Sequence, residues 1–422
     1  MHAQQMDGMN VTRCASEVAA HDVIQNHVPR QRQNVSGTRE AHNGTTRRAF
    51  DPLEPPQRSQ PRRPTSGLAY ALFMFSSQWF LVPQGMGIIA IVWVYTIVLL
   101  GSCLGLYVLR ILLYPRHVAY QLRHSILETS CLASISIAFT SIIQMVALTV
   151  VREWGSAWGI VAFVLWWINT ALAVLAVLGI PYIYVQVQPP GIKGVPPATL
   201  LPLIAALTSA AGAGVICRYG AISARLQVPM IIVSYLEIGI GLPLAVCLET
   251  IYLARLFDRA FPATKEIYQT MILCGPFGQA SFALQMLGQV VQRGSFASYD
   301  RGTFLTANSA PTVGVTSQFA GLLSWGFGTF WWALSIISIV HSLLAQSGGL
   351  RATSFTLGAW SLVFPWGVYT NAAIMLGKIM KSPAFDVWST ALTILLLFMA
   401  INNHIWTVKG LMSGTIFSLQ KG

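Results

Sequence analysis

From position 129 onward, apolar stretches alternate with short polar connections along the chain. A helix needs roughly 20 consecutive apolar residues to cross the hydrocarbon core of a bilayer. Stretches of about this length are each predicted to form one transmembrane helix, and they cover 129–151, 155–184, 198–217, 227–254, 270–291, 314–343, 356–377 and 385–408.

The apolar stretch before them, 68–114, contains Arg110 as its only charge. As one straight helix it would be about 70 Å long, more than twice the thickness of the hydrocarbon core. We therefore expect it to fold back as two helices, which predicts ten transmembrane helices in a domain covering 68–408. No polar turn separates the two. A single helix here would move the N-terminus to the other side of the membrane.

The segment 1–67 is polar, is rich in proline near its end and lacks the apolar core of a signal peptide. This composition predicts a disordered tail, and arginines close to the first helix favour a cytosolic location. Three glycosylation sequons, at Asn10, Asn34 and Asn43, leave a luminal tail open as the alternative. The segment 409–422 is predicted to be a short C-terminal tail.

Composition agrees with a membrane protein, because 54% of the residues are hydrophobic and only 9% are charged. An ordinary soluble domain has about 25% charged residues. The net charge of +12 could suggest a nucleic-acid partner. However, the basic residues lie mainly in the tail and in short loops, where they are expected to set the topology, so no nucleic acid is predicted.

Motifs for nucleotide, zinc, serine-hydrolase or calcium chemistry are not found in the sequence, which predicts no enzyme, no metal and no cofactor. Ionisable residues are rare inside the predicted helices. Glu237, in the middle of the sixth, is a candidate for a proton-linked group, since an intramembrane carboxyl is a functional candidate by default. The alternative is a structural residue that is hydrogen-bonded between helices.

The predicted helices differ in character along the chain. The third, fifth, seventh and ninth are rich in Gly, Ser, Thr and Ala, whereas the fourth and tenth are bulky. Small residues allow close helix packing, and polar ones can face a wet lumen. The odd helices are therefore predicted to form an inner ring around a pore, with the even ones outside. A solid, tightly packed bundle is the alternative.

Five sequence blocks resemble, in the same order, blocks of a known family. They are QWFLVPQGMGIIA, HSILETSCLASISIAFTSIIQM, CGPFGQASF, SWGFGTFWW and SLVFPWGVYTNAA. They are similar to fungal members of the tellurite-resistance/dicarboxylate transporter family, which also includes plant slow anion channels, the yeast malic acid permease and the fungal sulfite efflux pump. The likeness extends over 70–415, and the block GPFGQASF favours the sulfite branch.

The resemblance implies ten helices arranged as five hairpins around a central pore, assembled as trimers with one pore per subunit. In the family an aromatic residue beside a break in the ninth helix plugs the pore, and Phe364 is the matching residue. Pro365 would bend the helix there and Gly367 would reduce the bulk, so Phe364 could gate by dewetting. The alternative is that Phe364 is an ordinary core residue.

The resemblance also implies breaks in the first and seventh helices, where backbone N–H groups and positive ends of helix dipoles would face an anion. The break residues are Gly85, Gly87, Gly275, Pro276 and Gly278. Polar side chains predicted to contact the anion are Thr140, Gln279, Ser281 and Thr370. Hydroxyl groups in membrane helices often bond only to their own backbone, which is the alternative for the Ser and Thr residues.

The function expected from the resemblance is movement of a small anion across the plasma membrane, with sulfite export first and transport of a C4-dicarboxylate such as malate as the alternative. Family members have a longer connection inside the first hairpin than this chain has. A membrane regulator that transports nothing is therefore a further alternative, if the shortened hairpin closes the pore.

Overall fold

The computed structural model describes residues 89–187, 195–259, 267–345 and 355–413, all within one compact unit that covers 62–422. Gly85, Gly87, the N-terminal tail and the end of the C-terminal tail lie outside the described residues. The described part is helical apart from loops and one isolated bridge between Arg301 and Leu305. Its main helices are α1 Ile89–Leu113, α2 Pro115–His124, α3 Ile126–Trp154, α4 Ala157–Gln186, α5 Pro197–Tyr219, α6 Ala224–Arg259, α7 Gly275–Val290, α8 Ala310–Ala345, α9 Val363–Met380 and α10 Pro383–Met412.

The helices α3 to α10 coincide with the eight apolar stretches predicted from 129 onward, in number, order and approximate bounds. Six of them, α3, α4, α5, α6, α8 and α10, are long and apolar enough to cross a membrane. Glycine, glutamine and hydroxyl residues make α7 and α9 more polar, and both are largely buried among the other helices. The protein is thus an all-helical, multi-pass membrane protein.

Burial separates α3, α5, α7 and α9 from α4, α6, α8 and α10. The apolar core of α5 is completely buried and most of that of α3 is buried, whereas only about a third or less is buried in α4, α6, α8 and α10. The exposed faces of these even helices carry large apolar side chains such as Leu175, Leu236, Leu323 and Phe398. Such faces suit contact with lipid, so the predicted division into inner and outer helices is seen in the burial.

Consecutive helices pack as hairpins, with α3 against α4, α5 against α6, α7 against α8 and α9 against α10. The inner helices are also neighbours in sequence order, since α5 packs on both α3 and α7, and α7 packs on α9. The first helix, α1, packs on α3. Its only charge, Arg110, donates to Glu128 of α3 at 2.5 Å, which pairs a charge that would be costly alone in this environment.

Prolines mark the beginnings of the three inner helices α5, α7 and α9. Each begins with a 3₁₀ segment, Pro197–Leu200, Ile267–Cys274 and Leu357–Leu362, that continues directly into α geometry. Pro202, Pro276 and Pro365 lie in the first turn after the change. A proline lacks an N–H donor, and it is tolerated in the first turn of a helix, where the donor would have no α-helical partner. This explains how a proline can lie within an apolar segment of bilayer-spanning length.

Candidate anion pathway

A cavity of about 360 Å³ opens between the ends of α5, α7 and α9, and its walls carry three cationic side chains. These are Arg218, Arg293 and Lys378, and the cavity is named the basic vestibule here. Its remaining lining residues are Val215, Tyr219, Phe282, Met286, Gln289, Gln292 and Met375. None of the lining residues is acidic. A recess lined by charge of one sign concentrates counter-ions, so the basic vestibule attracts anions.

A second cavity, of about 280 Å³, shares Arg218 and Arg293 with the basic vestibule. Gln227, Ser295 and Ser298 supply polar groups on its other side. All three vestibule cations also lie close to the C-terminal ends of their helices, where a positive charge stabilises the helix dipole. Arg293 and Lys378 are exposed, so their charges remain accessible to a solute.

The inner cation, Arg218, is held by its neighbours. Its guanidinium donates to Oε1 of Gln289 and lies 5.3 Å from the centre of the Tyr219 ring. The amide of Gln289 in turn donates to Sδ of Met375 at 3.4 Å. One continuous set of contacts therefore joins α5, α7 and α9 at the base of the basic vestibule.

Below the cations, apolar side chains from all four inner helices form a cluster, named the methionine ring here. It contains Leu148 from α3, Val215 from α5, Phe282 and Met286 from α7, and Met375 and Ile379 from α9. Four of these also line the basic vestibule: Val215, Phe282, Met286 and Met375. The ring thus contributes apolar side chains to the wall of that cavity.

Helical periodicity shows which polar residues lie on the same face of their helix as a residue of the methionine ring. Residues seven or eleven apart lie on one face of an α-helix, two or three turns from each other. Gln279 precedes Met286 by two turns and Thr208 precedes Val215 by two turns. Asn371, which is half-buried, precedes Met375 by about one turn, and Gln144 precedes Leu148 in the same way.

Phe364 lies three turns from Met375 on this same face of α9. Its side chain is buried, in a large apolar cluster that also contains Ile204. A Cβ atom added to Gly275 would lie 3.1 Å from Ile204 Cδ1 and 3.8 Å from Pro365 Cβ. Gly275 of α7 and Pro365 of α9, both predicted from the sequence, therefore lie next to each other. Pro365 follows Phe364 directly in the sequence.

Other predicted break residues serve the packing of α7 against α9. A Cβ atom on Gly278 would lie 2.8 Å from the backbone nitrogen of Tyr369, so the two backbones touch at this point. Pro276 and Gly367 are buried within the first turns of α7 and α9. The 3₁₀ segments run into both helices without a gap, and Cys274 and Leu362 at the junctions have ordinary right-handed helical dihedral angles.

The predicted anion-contact residues fall into two groups. Three have hydroxyl groups with protein partners: Thr140 accepts from Asn169 of α4 at 2.7 Å, Ser281 accepts from Gln285 at 2.8 Å, and Thr370 donates to the Trp366 carbonyl at 2.7 Å. Gln279 makes no hydrogen bond within the described residues. Of the four, Gln279 shares a helix face with Met286 of the methionine ring, and Thr140 lies one turn from Gln144 on the face that leads to Leu148.

Glu237 is buried between α6 and its neighbours, with 2% of its surface exposed. The hydroxyls of Thr170 and Ser209 face its carboxyl, but they bond to each other at 2.9 Å. Neither carboxyl oxygen has a partner of hydrogen-bond geometry among the described residues. Next to Thr170, Asn169 bonds to Ser136 and Thr140, so a chain of polar groups connects α3 to α6.

A second buried carboxyl, Glu249, lies nearer the other end of α6. It is completely buried, and it faces the indole of Trp331 on α8. Neither group closes a hydrogen bond of normal geometry within the described part of the chain. Arg218, Arg293 and Lys378 were not predicted from the sequence to line a site. The sequence gives only a weak indication of this cluster. Each vestibule cation follows an odd-numbered apolar stretch, which puts all three on one side of the membrane.

Buried odd-numbered helices that end at a cationic recess define a membrane protein built to handle anions. The chain belongs to the voltage-dependent anion channel (SLAC1) family, whose sequence model matches residues 65–408. The predicted family is therefore confirmed, and the protein is a member of a family of anion channels and transporters.

Curated relatives include two fungal sulfite efflux pumps, from Arthroderma benhamiae and Trichophyton rubrum. Each is 26% identical over 347 residues, which covers 77% of this chain and 87% of the relative. The malic acid transport protein of Schizosaccharomyces pombe is 22% identical over 309 residues, covering 73% of this chain and 67% of that protein.

Proposed function

We propose that the protein exports sulfite across the plasma membrane through a pore between α3, α5, α7 and α9. The observation that carries this proposal is the basic vestibule, a cavity at the ends of α5, α7 and α9 that is lined by Arg218, Arg293 and Lys378. With a cytosolic N-terminus the basic vestibule lies at the outer mouth, so an exported anion would pass the polar groups of Gln279 and Asn371, then the methionine ring, and leave along these charges. The likeness to sulfite efflux pumps supports sulfite as the anion.

Ten transmembrane helices in five hairpins, a trimer with one pore in each subunit, and Phe364 as a gate complete the proposal. Four of the hairpins correspond to packed helix pairs in the described residues. The helix α1 and the apolar segment before it would supply the fifth. In this arrangement the protein catalyses no reaction and needs no cofactor.

The second candidate substrate is a C4-dicarboxylate, which the similarity to a malic acid transport protein favours. Efflux of labelled sulfite and of labelled malate, measured in cells that lack their own exporters, separates the two. We expect sulfite efflux to exceed malate efflux. A protein that reaches the cell surface and moves neither anion would contradict the proposal and favour a regulator without transport.

The contribution of the basic vestibule is tested with Arg293→Gln and Lys378→Gln, both of which change exposed residues. Loss of one focusing charge should lower the entry of labelled sulfite from the vestibule side, measured at subsaturating sulfite, by roughly three- to tenfold at low ionic strength, and by less at high ionic strength. Arg152→Gln is the matched control, because Arg152 is an exposed cation (85% of its side chain) that lines neither cavity. Equal effects of all three substitutions would show that net charge, and not the vestibule, matters.

A further inference from the structure

The methionine ring is composed of one or two apolar side chains from each of the four inner helices. Met286 has 1% and Met375 has 8% of its surface exposed, although both border the basic vestibule. Apolar side chains that meet from every side of a pathway exclude water, and a dry constriction stops ions. The packing at this level therefore has the character of a closed barrier and not of an open channel.

We propose that the methionine ring is a second constriction, in series with Phe364, and that the two enclose a polar chamber in which an anion is held during transport. This inference rests on the proposed function, because it assumes that an anion passes between α3, α5, α7 and α9. It assigns Met286 and Met375 as residues that control passage.

The spacing of the two constrictions fits this arrangement. Phe364 and Met375 are eleven residues apart on one face of α9, which corresponds to about 16 Å along the helix axis. Between these two levels, amide groups of Gln144, Gln279 and Asn371 lie on the same helix faces as the ring residues, whereas the Thr208 hydroxyl donates to the Ile204 carbonyl at 2.7 Å. The space contains no charged side chain from these faces. Neutral donors can replace part of the hydration shell of a small oxyanion without trapping it, as conduction requires.

The side chains of the ring are suited to movement. Methionine is unbranched and flexible, so it can fill a constriction in one conformation and leave it in another. The hydrogen bond from Gln289 to Met375 connects the ring to Arg218, which donates to the same Gln289 side chain. An anion that binds Arg218 competes with Gln289 for the guanidinium. Loss of the contact between Arg218 and Gln289 would free the Gln289 side chain that bonds to Met375, which couples an anion at Arg218 to the position of Met375.

Flux through two barriers in series is tested with three variants, Phe364→Ala, the double variant Met286→Ala/Met375→Ala, and the combination of all three changes. If the two barriers resist passage equally, opening either one raises flux per surface molecule by only about twofold. Opening both should raise it at least tenfold. Met271→Ala is the matched control, because Met271 is a fully buried methionine outside the ring, and we expect no gain in flux from it.

The outcomes separate this inference from the proposed function. If Phe364→Ala alone reaches the flux of the triple variant, the ring is no barrier, and the series arrangement is overturned while transport stands. If no protein that reaches the surface, wild type or variant, passes sulfite or malate, both proposals are overturned. Met286→Leu/Met375→Leu keeps the apolar volume of the ring, so it should show none of the gain in flux that is expected of the alanine variants.

A measurement without methionine substitutions protects the test against misfolding. Cysteines are placed at Asn371, inside the proposed chamber, and at Lys378, in the basic vestibule, and the membranes are opened so that an anionic thiol reagent reaches both sides. We expect the cysteine in Lys378→Cys to react at least tenfold faster than that in Asn371→Cys, after subtraction of the reaction of the unsubstituted protein. Equal rates would show that the chamber is open and would overturn the inference.

Discussion

Gly278 illustrates how a single residue can belong to a pore helix and still serve packing. The backbone nitrogen of Tyr369 lies 2.8 Å from the position that a Cβ atom on Gly278 would occupy. Since the obstacle is backbone and not the end of a flexible side chain, α7 and α9 would have to separate to admit any larger residue. The identity of the added side chain therefore matters less than its presence.

We expect Gly278→Ala to destabilise the protein by about 1–3 kcal/mol, the range typical of overpacked sites. Thermal unfolding in detergent, followed by loss of the monodisperse protein, measures the effect. Gly275→Ala is the control, because its Cβ atom would meet the terminal Cδ1 of Ile204 at 3.1 Å, and that side chain can move. Equal unfolding temperatures for the two variants would contradict the packing role.

At the scale of helices, much of the architecture was predictable from the sequence. The length of an apolar stretch is a one-dimensional signal, and α3 to α10 follow it closely. The abundance of small and polar residues also distinguished the buried α3, α5, α7 and α9 from the exposed helices, because close packing demands small side chains wherever a helix has neighbours on every side.

The faces of those helices were harder to predict than their order. Composition singled out Thr370, whereas helical periodicity from the methionine ring selects Asn371 instead. Thr140 and Gln144 are four residues apart and share one face of α3, which contacts Gly212 of α5. Whether any of them contacts an anion stays a prediction. The basic vestibule could not be predicted, since it depends on the convergence of three helix ends that are far apart in sequence.

The polar chain between α3 and α6 yields a prediction for Glu237. A buried carboxyl without a cation beside it is far more stable when neutral, so any ionised state must be brief and driven by transport. We expect Glu237→Gln, which keeps the neutral shape, to fold normally and to export sulfite at a rate that no longer follows the pH difference across the membrane.

Glu249→Gln is the matched control for this experiment, because it removes the other buried carboxyl of the same helix, next to Trp331 and away from Thr170 and Ser209. Its pH response should equal that of the wild type. If Glu237→Gln also retains the wild-type pH response, Glu237 is a structural residue that bonds within the helix interface.

At the scale of the whole molecule, the fixed charges of the basic vestibule lie at one end of the inner helices only. Arg218, Arg293 and Lys378 all come from the C-terminal ends of their helices. Among the described residues, both cavities that contain a cation cluster are at this end. The local concentration of an anion is therefore raised at one mouth of the proposed pore.

A pore whose two mouths differ in fixed charge passes more current in one direction than in the other. In symmetrical solutions of low ionic strength, we expect the current carried by anions entering at the basic vestibule to exceed the reverse current at the same voltage. Salt screens such charges over about 10 Å at 0.1 M, so the current–voltage curve should straighten as ionic strength rises, and Lys378→Gln should weaken the asymmetry. Patch recordings of the Phe364→Ala/Met286→Ala/Met375→Ala variant provide the measurement, and a straight curve at low salt would contradict it. The direction in which the protein is inserted into the membrane then decides whether its charges favour export or retention of the anion.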